Sequence, residues 1–457
     1  MRARVTPGVT VAGEAGVPGD KSISHRWLLL AATADGRSRL EGLPRSLDTC
    51  STASCLALLS PPARPALEAW VSSPVVTGER HGSTWNREPS TLDLEVLDLH
   101  GEGRGSLRPP QRDLECGNSG TTMRLLAGLV ASAPFETVLR GDASLATRPM
   151  DRVAAPLRAM GADVTTQDGH PPLRVRGGDL NGIRFEPEVP SAQVKGAVLL
   201  AALAARGPTA LAEPVPTRDH TERLLGALGA PVRSTEAGVV LDGAFQHEGF
   251  SGRVPGDPSS AAFLLAAAAL TGGDITVPDV GLNPTRLRFV DVLRRMGIDV
   301  EVEATGEELG EPVGTMRVAS RGELRPVHVD ASDLPLVIDE VPVLAAIAAH
   351  AVGESRFEGA AELRVKESDR LSGLVEGLRA LGGTADEDGD DLVLGGGGLA
   401  GGSARSAGDH RMAMAMAVTA LVARAPSEID GVESAAVSFP GFFGLVRALG
   451  ADVEVSA

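Results

Sequence analysis

Six short polar segments of the chain supply the residue types that hold phosphate and carboxylate groups. Together they contain lysines, arginines, hydroxyls, amides and glycines, and most of them open an apolar stretch that favours a helix. Backbone N–H groups at a helix N-terminus bind anions, and an arginine holds carboxylate or phosphate through two parallel hydrogen bonds. The pattern therefore predicts a site for small anions. The segments are residues 21–26 (KSISHR), 117–124 (GNSGTTMR), 148–150 (RPM), 191–193 (SAQ), 363–370 (LRVKESDR) and 409–415 (DHRMAMA).

Lysine is rare in this chain, which makes each lysine informative. Of the 43 basic residues only three are lysines, namely Lys21, Lys195 and Lys366. A lysine ammonium is a compact charge, and the planar arginine fork does not replace it in a tight site. We expect Lys21 to bind an anion together with Ser22 and Arg26. Lys195 has two interpretations, a phosphate contact or a side chain that extends from its helix towards solvent, and the second is favoured.

Residues 363–370 and 409–415 contain candidates for proton transfer and for further anion binding. Glu367 is adjacent to Lys366, and a neighbouring ammonium adjusts the pKa of a carboxyl for proton transfer. On a helix, Lys366 and Arg370 would lie four residues apart and share a face. Arg411 stands at the start of another helix and is a further candidate ligand. The alternative interpretation of the charged run at 363–370 is a solvated helix surface.

The composition argues against several classes of function. The net charge of −17 disfavours general nucleic-acid binding. No apolar run is long and pure enough for a membrane span, and residues 1–16 lack the apolar segment of a secretory signal. The three cysteines are too few for a disulfide framework and lack the spacing of a zinc site. We expect a cytoplasmic monomer that acts on small molecules.

Repeated segments predict the elements that must position these residues. Val-Pro-Gly-Asp occurs at residues 17–20 and again at 254–257, which indicates a duplicated half. A helix end, a glycine and a strand start recur at five places, and a sixth helix end lies near Leu59. Six helix starts accompany these helix ends. The glycines are Gly161, Gly229, Gly297, Gly382 and Gly450, and the helix starts lie near Ser22, Ser119, Ser191, Ser259, Asp339 and Asp409.

Six units in two halves predict an α/β protein of two domains with three units each. We expect residues 20–254 to form one domain and residues 1–19 plus 255–457 to form the other. The chain then crosses between the domains twice, near Pro18 and near Pro255. Such paired crossings form a hinge that can close over a ligand. Residues 61–90 are rich in proline, serine and arginine, and we interpret them as a surface insertion.

In this order, the six segments resemble the EPSP synthases, the 3-phosphoshikimate 1-carboxyvinyltransferase family of enolpyruvyl transferases. The resemblance extends from Lys21 to the SFPGFF segment at residues 438–443. It implies two inverted α/β domains of pseudo-threefold symmetry, each built from three βαβαββ units. It also implies transfer of the enolpyruvyl group of phosphoenolpyruvate to the 5-hydroxyl of shikimate 3-phosphate, with release of phosphate, in chorismate biosynthesis. No metal or organic cofactor is expected.

The resemblance also implies roles for individual residues. Asp339 is expected to accept the proton of the 5-hydroxyl, Glu367 to transfer the proton at the methylene carbon, and Lys21 to contact both substrates. The residues expected to bind shikimate 3-phosphate are Lys21, Ser22, Arg26, Ser191, Ala192, Gln193, Asp339 and Lys366. The residues expected to bind phosphoenolpyruvate are Lys21, Gly120, Arg148, Gln193, Arg370 and Arg411.

Four positions depart from the best-known bacterial pattern of the family. Val437 replaces a lysine on the phosphoenolpyruvate side, and Glu362 replaces an asparagine that contacts shikimate 3-phosphate. Ala192 replaces a serine, and Thr217 lies where an aromatic hydroxyl is common. Gly120 is retained, so we expect glyphosate to fit the phosphoenolpyruvate space and to inhibit the enzyme.

Two alternative functions stay open at this point. The sister enolpyruvyl transferase that acts on UDP-N-acetylglucosamine has Lys-Asn where this chain has Lys21 and Ser22, and its acid is a loop cysteine that Cys116 does not match. A non-catalytic phosphate-binding relative would be expected to have lost Lys21, Asp339 or Glu367, and all three are present.

Overall fold

The computed structural model describes residues 1–73 and 96–457, and the strands in this part of the chain form six small sheets. Five of these sheets have four strands, and one has three. Each sheet combines one parallel pair of strands with antiparallel pairs, and helices lie between the strands along the chain. The architecture is the predicted α/β class with six repeated units.

The unit of residues 114–176 shows the repeated pattern without interruption. Its first two strands are parallel, and the fourth strand lies between the second and the third. Alternate residues of the fourth strand are buried, so one face of the sheet covers a core. Its elements in chain order are Leu114–Glu115, helix Gly120–Val130, Glu136–Arg140, helix Asp151–Met160, Asp163–Gln167 and His170–Arg176.

Two more units complete the N-terminal half. The first contains helix Lys21–Thr33, strand Asp35–Glu41, helices Leu47–Leu59 and Arg64–Ser72, strand Val96–Glu102 and strand Ser251–Arg253. The third contains strand Arg184–Phe185, helix Ala192–Ala202, strand Thr209–Ala212, helix His220–Ala227, and strands Val232–Thr235 and Gly238–Leu241. Short 3-10 helices in this half are Arg104–Ser106 and Leu145–Thr147.

The C-terminal half repeats the arrangement three times. The first unit contains strand Gly13–Glu14, helix Pro258–Thr271, strand Ile275–Gly281, helix Arg288–Arg295, and strands Ile298–Glu308 and Glu311–Arg321. The second contains strand His328–Val329, helices Leu334–Val337 and Val341–Ala348, strand Glu354–Phe357, helix Arg370–Ala380, and strands Thr384–Asp388 and Asp391–Gly395. The third contains strand Ser403–Arg405, helix His410–Ala420, strand Ser427–Asp430, helix Phe442–Ala448, and strands Asp452–Ser456 and Arg2–Thr6. The 3-10 helices of the C-terminal half are Pro284–Arg286, Ala360–Val365 and Val432–Val437.

Residues before the first crossing pair within the C-terminal half, and residues up to the second crossing pair within the N-terminal half, so the chain crosses twice. Strand Gly13–Glu14 pairs with Ile275–Gly281, whereas strand Ser251–Arg253 pairs with Asp35–Glu41. The buried apolar residues form two separate clusters. We call them the N-terminal core, drawn from residues 23–254, and the C-terminal core, drawn from residues 3–17 and 261–453.

The helices at the centre of each core are packed through small side chains. Helix Pro258–Thr271 is buried along almost its whole length and is rich in alanine. Helices Gly120–Val130 and Ala192–Ala202 approach so closely that a methyl group at Gly128 would collide with the carbonyl oxygen of Ala197. None of the helices in the described ranges is long and apolar enough to span a membrane.

The helix boundaries agree with the repeated pattern, with changes in the capping residues at three of the six helix starts. All five predicted helix-ending glycines have positive φ, and Ser119, Ser191 and Asp409 cap their helices as expected. Asp20 and Asp257, rather than Ser22 and Ser259, cap the helices that open the two halves. The reason is that a short carboxylate placed before the first turn accepts from the free N–H groups directly. Glu340 precedes helix Val341–Ala348 without capping it through its side chain.

The start of the predicted insertion forms a helix that packs against the N-terminal core. Helix Arg64–Ser72 buries Leu67 and Trp70 in the N-terminal core. Pro65 lies in the first turn, where proline is favourable because its missing N–H would have no partner in any case. The rest of the predicted insertion, residues 74–90, lies outside the described residues.

Candidate active site

Helix Lys21–Thr33 brings the first cations to the edge of the N-terminal core. Asp20 caps this helix by accepting a hydrogen bond from the Ile23 amide at 2.9 Å, so Lys21 and Ser22 occupy its first turn. The Lys21 ammonium lies 2.8 Å from the Asp48 carboxylate. Burial alone would lower the pKa of Lys21, but Asp48 and then Glu367 outweigh it and raise that pKa. Lys21 is therefore a fixed positive charge.

Arg26 lies one turn further along the same helix and is buried. Its guanidinium donates to the Thr221 hydroxyl at 2.7 Å, to the Ser22 carbonyl at 2.7 Å and to the Ala192 carbonyl at 3.4 Å. Burial lowers its pKa to about 10, so the group stays charged at neutral pH. These contacts place Arg26 between the first turn of its own helix and residues 191–193.

Residues 191–193 start helix Ala192–Ala202 beside the N-terminus of helix Gly120–Val130. Ser191 caps its helix, and Gln193 donates to the Thr121 hydroxyl at 2.8 Å and accepts from Arg124. Gly120 lies against two guanidinium groups. A methyl group at Gly120 would stand 3.1 Å from Arg124 Nη1 and 3.4 Å from Arg148 Nη1. The absence of a side chain at this position thus keeps the space in front of both arginines open.

Arg148 reaches from the N-terminal half towards the C-terminal half. It donates to the Asn118 side-chain oxygen at 2.6 Å, and its Nη1 lies 3.9 Å from a Glu367 oxygen. The Ser144 hydroxyl donates to the Glu367 carbonyl at 2.9 Å. The two walls of the cleft are therefore in direct contact at Glu367.

Residues 366–370 do not form the continuous helix that the sequence suggested. Lys366 ends a 3-10 helix with extended backbone, and Arg370 opens the next helix, so the two side chains share no helix face. Arg370 is buried and donates to Glu367 at 2.5 Å and to Asp409 at 2.8 Å. The alternative of a solvated surface is wrong for Arg370, because two carboxylates enclose its guanidinium.

Asp339 lies just before helix Val341–Ala348 and is surrounded by cations from both halves. Arg218 of the N-terminal half donates to its carboxylate, and Arg370 Nη1 lies 3.5 Å from the same group. Arg411 donates to the Asp339 carbonyl at 2.5 Å and lies 3.9 Å from its carboxylate. Lys366 adds a further positive charge close enough to lower the pKa of Asp339.

Both predicted proton-transfer carboxyls have strongly perturbed pKa values. Burial alone would raise the pKa of Glu367, but Arg370 and Arg148 outweigh it and hold the pKa well below its ordinary value. Burial would likewise raise the pKa of Asp339, and Arg218 and Arg411 reverse that effect. Both groups are carboxylates at neutral pH, which is the form that accepts a proton.

Several polar atoms in this cleft are buried without a hydrogen-bond partner among the described residues. A buried donor without a partner costs about 1–3 kcal/mol of stability. A cluster of such donors therefore indicates a site where a ligand supplies the missing acceptors. Their charge makes that place suitable for an anion. The atoms are Arg124 Nε, Arg148 Nε, Arg370 Nη1 and both ring nitrogens of His410.

Three residues of the cleft were missed by the sequence analysis. Arg218 contacts Asp339, Asp48 contacts Lys21, and Arg124 contacts Gln193. Arg124 is the last residue of the GNSGTTMR segment, and Arg218 directly follows Thr217. Both arginines are therefore next to residues that the sequence motifs had singled out. Nothing in the sequence indicates which distant side chain each one meets.

Lys195 does not extend to solvent, so the favoured interpretation of this residue is wrong. Its side chain is 4% exposed, and its ammonium lies 2.7 Å from Glu213 and 2.6 Å from Glu222. It also donates to the Thr217 carbonyl at 3.4 Å. The lysine ties helix Ala192–Ala202 to the segment that carries Arg218.

Replacement of Lys195 by methionine is expected to lower the free energy of unfolding by about 3–5 kcal/mol, because it leaves two buried carboxylates without a cation. The measurement is urea unfolding of the wild type and the variant. The double variant Lys195→Met/Glu222→Gln should recover part of the loss. Arg206→Met is the control, since Arg206 pairs with Asp179 at the surface and should cost no more than about 1 kcal/mol. Equal costs for the two single variants would contradict the buried role.

A second cavity, of about 620 Å³, opens on the far side of the N-terminal core and is not an equivalent anion site. Arg104 at its edge donates to the Leu129 carbonyl at 2.9 Å and to the Leu200 carbonyl at 2.9 Å. These carbonyls lie in the last turns of two buried helices, whose negative dipole ends already compensate the guanidinium. The cleft between the two cores is therefore the candidate active site.

Comparisons with known proteins identify the family of this chain. The family model of EPSP synthase (3-phosphoshikimate 1-carboxyvinyltransferase) matches residues 5–74 and 88–445. A 3-phosphoshikimate 1-carboxyvinyltransferase of Halorhodospira halophila is 49% identical over 99% of this chain and 97% of its own length. One of Acidithiobacillus ferrooxidans is 44% identical over 100% and 99%. The structure of an EPSP synthase from Acinetobacter baumannii superimposes with a TM-score of 0.82 at 37% identity, with each chain fully covered.

These relationships confirm the family, the enzyme class and the fold that the sequence motifs predicted. They extend over the whole chain and over both halves of the cleft, including every segment that supplies a cation to it. The chain belongs to the EPSP synthase family.

Proposed function

We propose that the cleft transfers the enolpyruvyl group of phosphoenolpyruvate to the 5-hydroxyl of shikimate 3-phosphate and releases phosphate. One observation carries this proposal. Cations from both halves converge on two partly buried carboxylates, Asp339 and Glu367, and several of their donors have no partner among the described residues. Two anionic substrates need such cations, and a reaction that removes one proton and adds another needs two acid–base groups.

The N-terminal wall is the proposed site for shikimate 3-phosphate. Lys21, Ser22 and Arg26 lie in the first two turns of one helix, and the Arg26–Ala192 contact brings residues 191–193 beside them. These groups offer charged and hydroxyl donors suited to a phosphate and to sugar-like hydroxyls. Lys366 and Asp339 complete the site from the opposite wall. The proposed ligands are Lys21, Ser22, Arg26, Ser191, Ala192, Gln193, Asp339 and Lys366.

Phosphoenolpyruvate is proposed to lie between Gly120 and the arginines of both walls. Arg148 approaches from one side and Arg370 from the other, and both contact Glu367. Planar guanidinium groups bind carboxylate and phosphate through paired hydrogen bonds. The negative charge of bound phosphoenolpyruvate weakens the stabilisation that these arginines give to the Glu367 carboxylate. It thereby raises the pKa of Glu367 towards the range of a general acid. The proposed ligands are Lys21, Gly120, Arg148, Gln193, Arg370 and Arg411.

Asp339 is proposed to take the proton of the attacking 5-hydroxyl while Glu367 delivers a proton to the methylene carbon. The tetrahedral intermediate that results carries both substrates, and the surrounding cations stabilise its charge. On collapse of the intermediate, phosphate leaves and the methylene carbon returns its proton to Glu367. Direct contact between the walls at Ser144 and Glu367 excludes water from that intermediate.

We further propose domain boundaries at residues 19/20 and 254/255, and action as a monomer in the cytoplasm. The strands beside the two crossings, which pair within these domains, and the two separate cores support the boundaries. The two halves of one chain supply both walls of the cleft, so the proposed reaction requires no residue of a second subunit. The chain has three cysteines, too few for a disulfide framework, which is in keeping with a reducing compartment.

Phosphate release with purified protein and both substrates tests the proposed reaction. Wild-type protein should release phosphate only when phosphoenolpyruvate and shikimate 3-phosphate are both present. A control with unphosphorylated shikimate should release little phosphate, because the cations around Lys21 then have no phosphate group to bind. Tight binding of shikimate 3-phosphate without any release would contradict the reaction.

The substitution Gly120→Ala is expected to raise KM for phosphoenolpyruvate about tenfold and to weaken inhibition by glyphosate. The added methyl group would crowd Arg124 and Arg148, and overpacking of this kind costs about 1–3 kcal/mol. Steady-state kinetics with and without glyphosate measure both effects. Gly444→Ala is the control, because a methyl group there meets no neighbouring atom within 4 Å. Wild-type activity that survives millimolar glyphosate would contradict the expected sensitivity.

A further inference from the structure

A buried guanidinium lies where the chain crosses between the two halves. Arg286 is 3% exposed and follows strand Ile275–Gly281 of the C-terminal half. It donates to Asp20, to Asp257 at 2.9 Å and to the Ser259 hydroxyl at 2.8 Å. One arginine thus binds acceptors from both crossing segments.

The two acids bound by Arg286 cap the two helices that open the halves. Asp20 accepts from the Ile23 amide at 2.9 Å, and Asp257 accepts from the Ser259 amide at 2.9 Å. The crossing segments also pair with each other through their backbones. The Asp20 amide donates to the Pro255 carbonyl at 2.7 Å, and the Asp257 amide donates to the Pro18 carbonyl at 2.8 Å. Arg286 therefore holds two helix starts to one another at the hinge.

On each wall of the cleft, a residue joined to Arg286 through hydrogen bonds is the neighbour in sequence of a proposed catalytic group. On the N-terminal wall, Lys21 directly follows Asp20. On the C-terminal wall, the Ser259 hydroxyl donates to the Glu340 carboxylate, and Glu340 directly follows Asp339. A continuous set of contacts thus joins Lys21 to Asp339 through Arg286.

Only an arginine makes this set of contacts. Its fork reaches Asp20 through one terminal nitrogen and reaches Asp257 and Ser259 through the other. A lysine ammonium carries the same charge but lacks the planar fork that fixes several acceptors in one geometry. All of the groups that Arg286 binds are buried, so water does not replace a lost contact.

We infer that Arg286 is a positioning residue that fixes Lys21 and Asp339 relative to each other across the hinge. The inference rests on the proposed function, in which both groups act on the same substrate pair. Displacement of reacting groups by about 1 Å costs on the order of 10²-fold in rate. Binding of shikimate 3-phosphate depends mainly on the N-terminal wall and should be far less sensitive than turnover.

The experiment compares Arg286→Lys and Ser259→Ala with wild type, with kcat expressed per shikimate 3-phosphate site counted by calorimetry. Arg286→Lys keeps the buried charge and should lower kcat about 10²-fold, while Ser259→Ala should lower it about tenfold. The dissociation constant for shikimate 3-phosphate should change less than about threefold in both. Ser260→Ala is the control, since this buried serine on the same helix does not contact Arg286, Asp20 or Glu340 among the hydrogen bonds of the described residues.

Two results would overturn the inference. One is unchanged kcat in both variants with an active wild type. The other is a loss of shikimate 3-phosphate affinity equal to the loss of kcat, because that would indicate general damage rather than misplacement of the two walls. A wild type without turnover would contradict the proposed function and the inference together, whereas an active wild type with unchanged variants contradicts only the role of Arg286.

Discussion

The variant Glu367→Gln is expected to lower kcat by about 10²–10⁴-fold, the range for loss of a positioned acid–base group. The amide keeps the size of the side chain and can still accept from Arg370, but it cannot carry the proton to the methylene carbon. The KM values should change much less than kcat, because the cations that bind phosphoenolpyruvate stay in place. Steady-state kinetics with both substrates measure this split.

Glu387→Gln is the matched control for this variant. Glu387 pairs with Arg364 at 2.6 Å, so its replacement also removes a carboxylate from an arginine, but outside the cleft. Its kcat should equal that of the wild type. Activity of Glu367→Gln within a factor of about three of the wild type would be incompatible with proton transfer by Glu367.

The same variant has an effect on stability that depends on pH. The folded pKa of Glu367 lies below the value of 4.5 expected for an unfolded glutamate. Its ionisation therefore stabilises the fold fully above pH 4.5, and that contribution is lost as the pH falls through the lower folded value. Urea unfolding should accordingly show a larger difference between wild type and Glu367→Gln at pH 7 than at pH 4.

The variant Asp339→Asn is expected to lower kcat by about 10²–10⁴-fold as well, because the 5-hydroxyl then has no base beside it. It should also weaken shikimate 3-phosphate binding, which distinguishes it from Glu367→Gln. An asparagine leaves Arg218, Arg370 and Arg411 without a common carboxylate, so their geometry changes along with the loss of the base. Phosphate release measures the first effect and calorimetry the second.

Asp333→Asn is the matched control for Asp339→Asn. Asp333 lies six residues earlier and binds Arg288 at 2.6 Å and Arg295 at 3.4 Å, so it too serves several arginines. Its replacement should leave phosphate release unchanged. Full activity of Asp339→Asn would contradict the assignment of the base, and equal losses in both variants would point to a general effect of removing a carboxylate.

The repeated units were predictable because their signals are local. A glycine that ends a helix and the apolar alternation of the strand after it depend on neighbours in sequence, and all five glycines have the expected positive φ. The capping residues were harder to predict. Asp20 and Ser22 are both good caps two residues apart, and the choice of Asp20 becomes clear only when Arg286 is seen beside it.

Side chains that meet across the cleft were predictable only through the family resemblance. Lys195 shows the limit of local reasoning, because its position near the start of a helix gave no sign of the two glutamates that it binds. Arg218 and Asp339 are 121 residues apart along the chain. No periodicity or spacing connects them, since their contact depends on how the two halves pack.

The place of the first strand in the last sheet has a consequence for synthesis of the protein on the ribosome. Strand Arg2–Thr6 lies inside the last sheet, between Ser427–Asp430 and Asp452–Ser456. The N-terminal core needs nothing beyond residue 254, so it can fold while roughly 200 residues are still to be added. At about 5–20 residues per second, strand Arg2–Thr6 then waits about 10–40 s for its partners. The half that contains strand Arg2–Thr6 is thus completed after the other half, and the cleft forms only once strand Asp452–Ser456 has been made.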